Sequence, residues 1–84
     1  MNKLLLTFFI PEIGLEFDAY IPINKKVGTI KKYLINMIND MTENNYDATV
    51  ESMKFVDHET GKEYENNLYI KETGIKNGTK LIIL

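Results

Sequence analysis

The 84-residue sequence predicts an α+β fold, a mixed sheet of four to five strands with one amphipathic helix packed on one face. Three observations carry this reading. Two N-terminal segments alternate inward and outward positions across a glycine turn, one central stretch repeats apolar residues at helical spacing, and a final β-rich run, "KLIIL", is too apolar to lie at a wet edge. The size suits one domain, 1–84, with little sequence to spare for a second function.

In the first segment Leu4, Leu6, Phe8 and Ile10 alternate with Leu5, Thr7 and Phe9, and Pro11 ends the run. "PEIG" supplies a turn in which Gly14 is free to take a positive φ. The alternation resumes with Leu15, Phe17, Ala19, Ile21 and Ile23 on one face and Glu16, Asp18, Tyr20 and Pro22 on the other, making a hairpin with one wet face. Pro22 cannot donate to a ladder, so the second strand belongs at the sheet edge and the first inside.

Asn24 is the expected helix N-cap. Beyond it Val27, Ile30, Leu34, Met37, Ile38 and Met41 fall within an arc of about 100°. Tyr33 and Ile35 form its shoulders, and Lys25, Lys32, Asn36 and Asn39 lie opposite. Residues 42–50, "TENNYDATV", hold no period and read as a long connection, with Asn44 or Asn45 near the helix end. Met53 and Phe55 alternate with Lys54 and Val56, and "DHETGKEY" turns at Gly61 into a short strand around Glu63 and Tyr64, a second hairpin. In "NNLYIKETGIKNG", Ile70 and Ile75 anchor a short helical turn before the last strand, 80–84, which must be interior.

Composition removes several function classes. A net charge of −2 provides no basic surface for phosphates, and all ten basic residues are Lys, so the planar fork of Arg is missing; nucleic acid is not an expected partner. Without Cys there is no disulfide, thiolate zinc site or cysteine nucleophile, in keeping with a reducing cytoplasm. The run Leu4 to Ile10 reads as a strand rather than a signal peptide, and no stretch approaches the ~18 apolar residues needed to span a bilayer, so direct membrane insertion is not expected. His58, the one histidine, sits between Asp57 and Glu59 in a turn, without the converging ligands of a metal or acid–base site. "TGIKNG" lacks phosphate-loop spacing. No catalytic residue, metal or cofactor is assigned.

If the last strand lies beside the first, their connection passes through the helix, and a right-handed crossover makes the two parallel and central. This order is the β-grasp arrangement. The chain resembles ubiquitin-like domains over nearly its full length: in the opening hairpin, in the helix start "VGTIKKYL", and in "YIKETGIKNGTKLIIL" before and through the last strand. Within that superfamily it is most similar to the YukD/EsaB group associated with type VII secretion in Gram-positive bacteria. The likeness lies in size and in the closing pattern of Gly74, Ile75, Asn77, Gly78, Leu81, Ile83 and Leu84. The 42–50 connection departs from compact ubiquitin-like domains. The resemblance implies a non-enzymatic cytoplasmic protein with a protein partner, the membrane-associated secretion apparatus.

A ubiquitin-like fold also suggests conjugation or sulfur transfer, chemistry that needs a flexible C-terminal Gly-Gly to thread an adenylating enzyme. The sequence ends in "LIIL", so a sulfur carrier or modifier is the disfavoured alternative. Lys25, Lys26, Lys31 and Lys32 form the one basic cluster, which reads as a solvated helix face or as the acid-binding surface of a PB1-like scaffold. The expected binding surface lies elsewhere. If Leu4, Leu6, Phe8, Leu81 and Ile83 point to the helix, Leu5, Phe9, Ile82 and Leu84 point away from it, with Val56 beside them and Thr7 and Lys80 at the rim. Such a cluster fits a protein-docking face, which the resemblance implies as well; a homodimer burying these faces, or a register shifted by one residue, are its alternatives.

Overall fold

Strict alternation in the first two segments produces a hairpin without a bulge. In the computed structural model, which describes residues 2–84, β1 (Lys3–Ile10) pairs antiparallel with β2 (Leu15–Pro22) from Lys3↔Pro22 through to Ile10↔Leu15. A 3-10 turn at Pro11–Ile13 joins them, and Gly14 closes it at φ 63°, where a side chain would be strained. The chain then forms α1 (Val27–Met41), β3 (Phe55–Asp57), a second 3-10 turn at Ile70–Glu72 and β4 (Lys80–Ile83). The four strands stand in the order β2-β1-β4-β3. β1 and β4 run parallel through Thr7↔Lys80, Phe8↔Leu81 and Phe9↔Ile82, whereas β3 and β4 are antiparallel. Pro22 therefore lies on an edge strand and the apolar last strand is central, as expected.

Leu6, Phe8 and Ile10 of β1, Leu81 and Ile83 of β4, and Phe55 of β3 are buried against Val27, Ile30, Leu34 and Ile38 of α1. Phe8 is the hub, its ring 5.5 Å from that of Phe17 and 5.8 Å from that of Phe55. Met41 does not join this stripe: it is 56 % exposed, whereas Ile38, one turn earlier, is fully buried. Asn44 takes a left-handed conformation (φ 65°) just beyond the helix, as does Glu43 (φ 56°). The long connection that follows is tethered, since Tyr46 and Met53 are buried and the Tyr46 N–H donates to Asn39 Oδ1 at 3.2 Å.

Three local expectations are corrected. Asn24 is not the helix cap; Lys26 holds that position and its side chain makes no capping bond. The capping comes from far along the chain, where the carbonyls of Leu68 and Asn66 accept the N–H groups of Val27 (2.8 Å) and Gly28 (3.0 Å). Glycine suits this close approach: a Cβ on Gly28 would lie 3.3 Å from both the Cβ and the carbonyl oxygen of Asn66, so Asn66 would have to give way by a few tenths of an ångström. The same detour explains the second correction: Glu63 and Tyr64 form no strand, only a single bridge from Glu63 to Val56, because the chain turns away to reach the helix start. The sheet thus has four strands.

The third concerns Lys31, which leaves the basic cluster. It is 2 % exposed, its Nζ donates to the Met53 carbonyl at 2.6 Å and lies 5.5 Å from the centre of the Phe55 ring. At helical spacing it falls on the β3 flank of the apolar stripe, where a flexible stem can bury its methylenes. Burial lowers its pKa from 10.5, opposed by the charges of Glu63 and Glu51. Between that lowered value and 10.5 the unfolded chain binds more protons at this site, so the contribution of Lys31 to stability rises with pH across the window. Tyr46 and Tyr64, raised from 10.0 by burial, act oppositely at higher pH. Lys31→Met is expected to remove the rise, read as urea midpoints from about neutral pH to about pH 10. Lys31→Ala, which leaves the Met53 carbonyl unpaired, should cost about 1–3 kcal/mol at neutral pH.

Candidate functional site

Because successive strand residues face opposite ways, burying Phe8, Leu81 and Phe55 under α1 turns Phe9, Ile82 and Val56 outward. The registers place these three in one row across β1, β4 and β3, and the pairings Phe9↔Glu16 and Val56↔Glu63 put a glutamate at each end. All three are half-buried by their neighbours. The next row holds Asp18, Thr7 and Lys80, and the one beyond holds Tyr20 and Leu5. On the other side Leu84 pairs with Lys54 through reciprocal backbone bonds of 2.8 and 3.0 Å. The structure thus brings Leu5, Thr7, Phe9, Val56, Lys80, Ile82 and Leu84 onto one sheet face, turned away from the helix.

Polar links within the face set its shape. Lys80 is not a free rim residue: its ammonium lies 5.6 Å from the centre of the Phe9 ring and 3.0 Å from Glu16 Oε1, so its stem straps β4 to β2 across β1. Thr7 Oγ1 donates to Asp18 Oδ1 at 2.7 Å. At the far end the Leu5 N–H donates to Asn77 Oδ1 (2.8 Å) and the Gly78 N–H to the Leu5 carbonyl (2.9 Å), prolonging β1's pairing into the segment before β4. Tyr20 (65 % exposed) and Leu84 (63 %) are the most exposed large hydrophobic residues of the face. Sequence reading did not assign Glu16, Asp18, Tyr20, Lys54 and Glu63 to the face; the signal for the first three was the wet side of the hairpin, and Glu63 gave none without the bridge.

The chain matches no protein-family model and no curated protein. Solved structures, in contrast, share its fold. A ubiquitin-like domain of an Arabidopsis thaliana protein superposes with a TM-score of 0.74 at 14 % identity, over 100 % of this chain and 78 % of that one. The fold is the ubiquitin-like β-grasp. A chain of the MycP5-free ESX-5 inner membrane complex superposes at 0.75 with 15 % identity, over 100 % of this chain and 21 % of that one. ATBAG1, solved in complex with HSP70, superposes at 0.65 with 14 % identity, over 96 % and 39 %.

Elsewhere on the β-grasp, a groove of about 430 Å³ separates the 57–64 turn from the 74–80 segment and includes His58, Lys62, Lys76 and Thr79 in its walls. The histidine is exposed, with its backbone N–H on the Lys80 carbonyl at 3.0 Å. Among the described residues, no group of three or more His, Cys, Asp or Glu is placed to hold a metal ion. Nor is any helix long and apolar enough to cross a membrane. With Lys31 buried, the exposed basic residues of the expected cluster are Lys25, Lys26 and Lys32, and Lys26 lies 5.6 Å from the centre of the Tyr69 ring.

Asp57 is an organiser of the turn. Its Oδ1 accepts the N–H groups of Thr60 (3.1 Å) and Glu59 (2.8 Å), and its Oδ2 accepts Tyr64 OH (3.2 Å). These bonds, Thr60's first, lower its pKa from 3.8. Its contribution to stability is accordingly complete above 3.8 and lost as pH falls through the lowered folded value. Asp57→Asn should lower Tm by about 4–8 °C at neutral pH, a loss of about 1 kcal/mol in a domain of this size. In thermal melts the gap between the two proteins should narrow as the buffer is taken below 3.8.

Proposed function

We propose that this protein is a non-catalytic binding module that docks through its open sheet face onto the cytoplasmic part of a type VII secretion membrane apparatus, in an accessory or regulatory role. The observation that carries the reading is the cross-strand row of Phe9, Ile82 and Val56, three apolar side chains side by side on a face that no element among the described residues covers. Leu5 and Leu84 extend it, and Thr7, Asp18 and the Lys80–Glu16 pair frame it with polar groups. An apolar centre within a polar rim is the anatomy of a protein interface. The fold similarity to a chain of the ESX-5 inner membrane complex supports the assignment to secretion, as does the closing pattern from Gly74 to Leu84.

Ile82 occupies the middle of the row, flanked by Phe9 and Val56, so it is the expected anchor. Ile82→Asp should weaken binding to the purified cytoplasmic portion of the secretion apparatus from the same cells by about a hundredfold, or about 2.7 kcal/mol, measured by calorimetry. Its circular dichroism should remain that of the wild type. Unchanged affinity would move the interaction to α1 and its lysines. Loss of a wild-type homodimer in sedimentation would assign the face to self-association. Recovery of an adenylating enzyme by the wild type, with a thiocarboxylate mass shift, would revive the carrier alternative.

A further inference from the structure

An asparagine followed by glycine carries a reaction of its own, and of the nine asparagines in the chain only Asn77 precedes a glycine. The backbone nitrogen of the following residue attacks the side-chain amide carbon and closes a succinimide ring; glycine, with no Cβ, leaves that nitrogen unhindered. The bond formed joins the Gly78 nitrogen to Asn77 Cγ. The bond broken releases the side-chain nitrogen as ammonia, which carries off the hydrogen that Gly78 loses. Water then opens the ring. Cleavage at Cγ gives aspartate, and cleavage at the main-chain carbonyl carbon gives isoaspartate, in which the chain runs on through the former side chain. The sum is asparagine and water giving either acid and ammonia, with nothing oxidised or reduced.

One residue of β1 holds both reacting groups. The Leu5 N–H donates to Asn77 Oδ1 at 2.8 Å, and the Leu5 carbonyl accepts the Gly78 N–H at 2.9 Å. Attack therefore requires the Gly78 nitrogen to give up its bond to Leu5, and the Asn77 amide to leave Leu5 and fold back over its own backbone. The turn is also closed around them. The Thr79 N–H donates to the Lys76 carbonyl at 3.0 Å, the Lys76 N–H donates to Thr79 Oγ1 at 3.1 Å, and Gly78 sits at φ 86°. The folded chain withholds nucleophile and electrophile together.

This clamp sits where the sheet can release it. It lies beyond the parallel β1–β4 pairing, which begins at Thr7↔Lys80, and Leu5, Asn77 and Gly78 are all exposed. Between Ile75 and Leu81 no side chain is buried. Bonds at such an end open at a smaller free energy than those over the core.

We propose that Asn77–Gly78 is a self-modification site gated by Leu5, inert while the clamp is closed and converted when the end of β1 lets go. The two products differ in consequence. Aspartate keeps the main chain and offers a carboxylate oxygen to the Leu5 N–H, so the clamp closes again. In isoaspartate the former Oδ1 and the Gly78 N–H belong to one trans amide and point opposite ways, so both cannot meet Leu5. Either product adds a negative charge beside Leu5, at one end of the open face. The site thus records each opening, and the isoaspartyl form keeps that end of the face loose. It stands on the geometry around Leu5 and is independent of what the face binds.

The test incubates the purified wild type at mildly alkaline pH in native buffer and in urea. Mass spectrometry follows the peptide carrying residue 77, and an isoaspartyl methyltransferase separates the products. Conversion should be at least about tenfold faster in urea than in native buffer. Deamidation and hydrogen exchange at Gly78 both need its N–H freed from Leu5, so the native slowing should be at least as large as the protection factor of that amide. The isolated isoaspartyl form should lose protection at the Leu5 and Gly78 amides, whereas Asn77→Asp retains it. Equal rates in the two buffers, or a slowing smaller than the Gly78 protection factor, would overturn the gate. An absence of conversion in urea would overturn the site itself, and an isoaspartyl form with wild-type exchange would overturn its structural consequence.

Discussion

A pleated strand cannot hide two adjacent side chains on the same side, and β1 turns that restriction into the architecture of the molecule. Leu6, Phe8 and Ile10 go under the helix, so Leu5, Thr7 and Phe9 must go to the other face. Both edges of β1 are also used, one by the antiparallel β2 and the other by the parallel β4. Every further element inherits its phase from this strand: β4 sets Ile82 beside Phe9 because Leu81 meets Phe8, and β3 sets Val56 beside Ile82 because Phe55 meets Ile83. A slip of one residue in any of these pairings would exchange core for surface along the whole strand.

The two proposed sites differ in their physics. The open face presents side chains, so its selectivity rests on shape and on the Lys80 strap over Phe9. The Asn77–Gly78 site presents a covalent reaction, so its outcome rests on how often the end of β1 opens. The two meet at Leu5, whose backbone belongs to the clamp while its side chain belongs to the face. A partner that covers the face and steadies Leu5 therefore slows the reaction as well.

Much of this was legible in the residues. The period of two in 4–23, the proline at 22 and the apolarity of 80–84 were enough to order three strands, because each is a local property with one global solution. The outward set followed by parity. What could not be read depends on contacts between segments far apart in sequence. Asn24 has the right chemistry for a cap but loses to the carbonyls of Asn66 and Leu68, which only the folded chain brings near. Lys31 looks like its neighbour Lys32 until the Met53 carbonyl and the Phe55 ring arrive to receive it. Lys80 reaches Glu16 only because the β1–β4 and β1–β2 registers align, and Glu63 enters the face through a single bridge.

The parallel pairing also carries a consequence in time. Thr7 and its partner Lys80 are separated by some seventy residues, and a ribosome adding about 5–20 residues per second needs roughly 4–15 s to cover them. During that interval the inner edge of β1 lacks the strand that will occupy it, while the Phe8 side of the hairpin has no complete core to enter. The nascent hairpin is then sticky on both margins, and a chaperone able to shield an apolar strand for several seconds would raise the yield of folded protein.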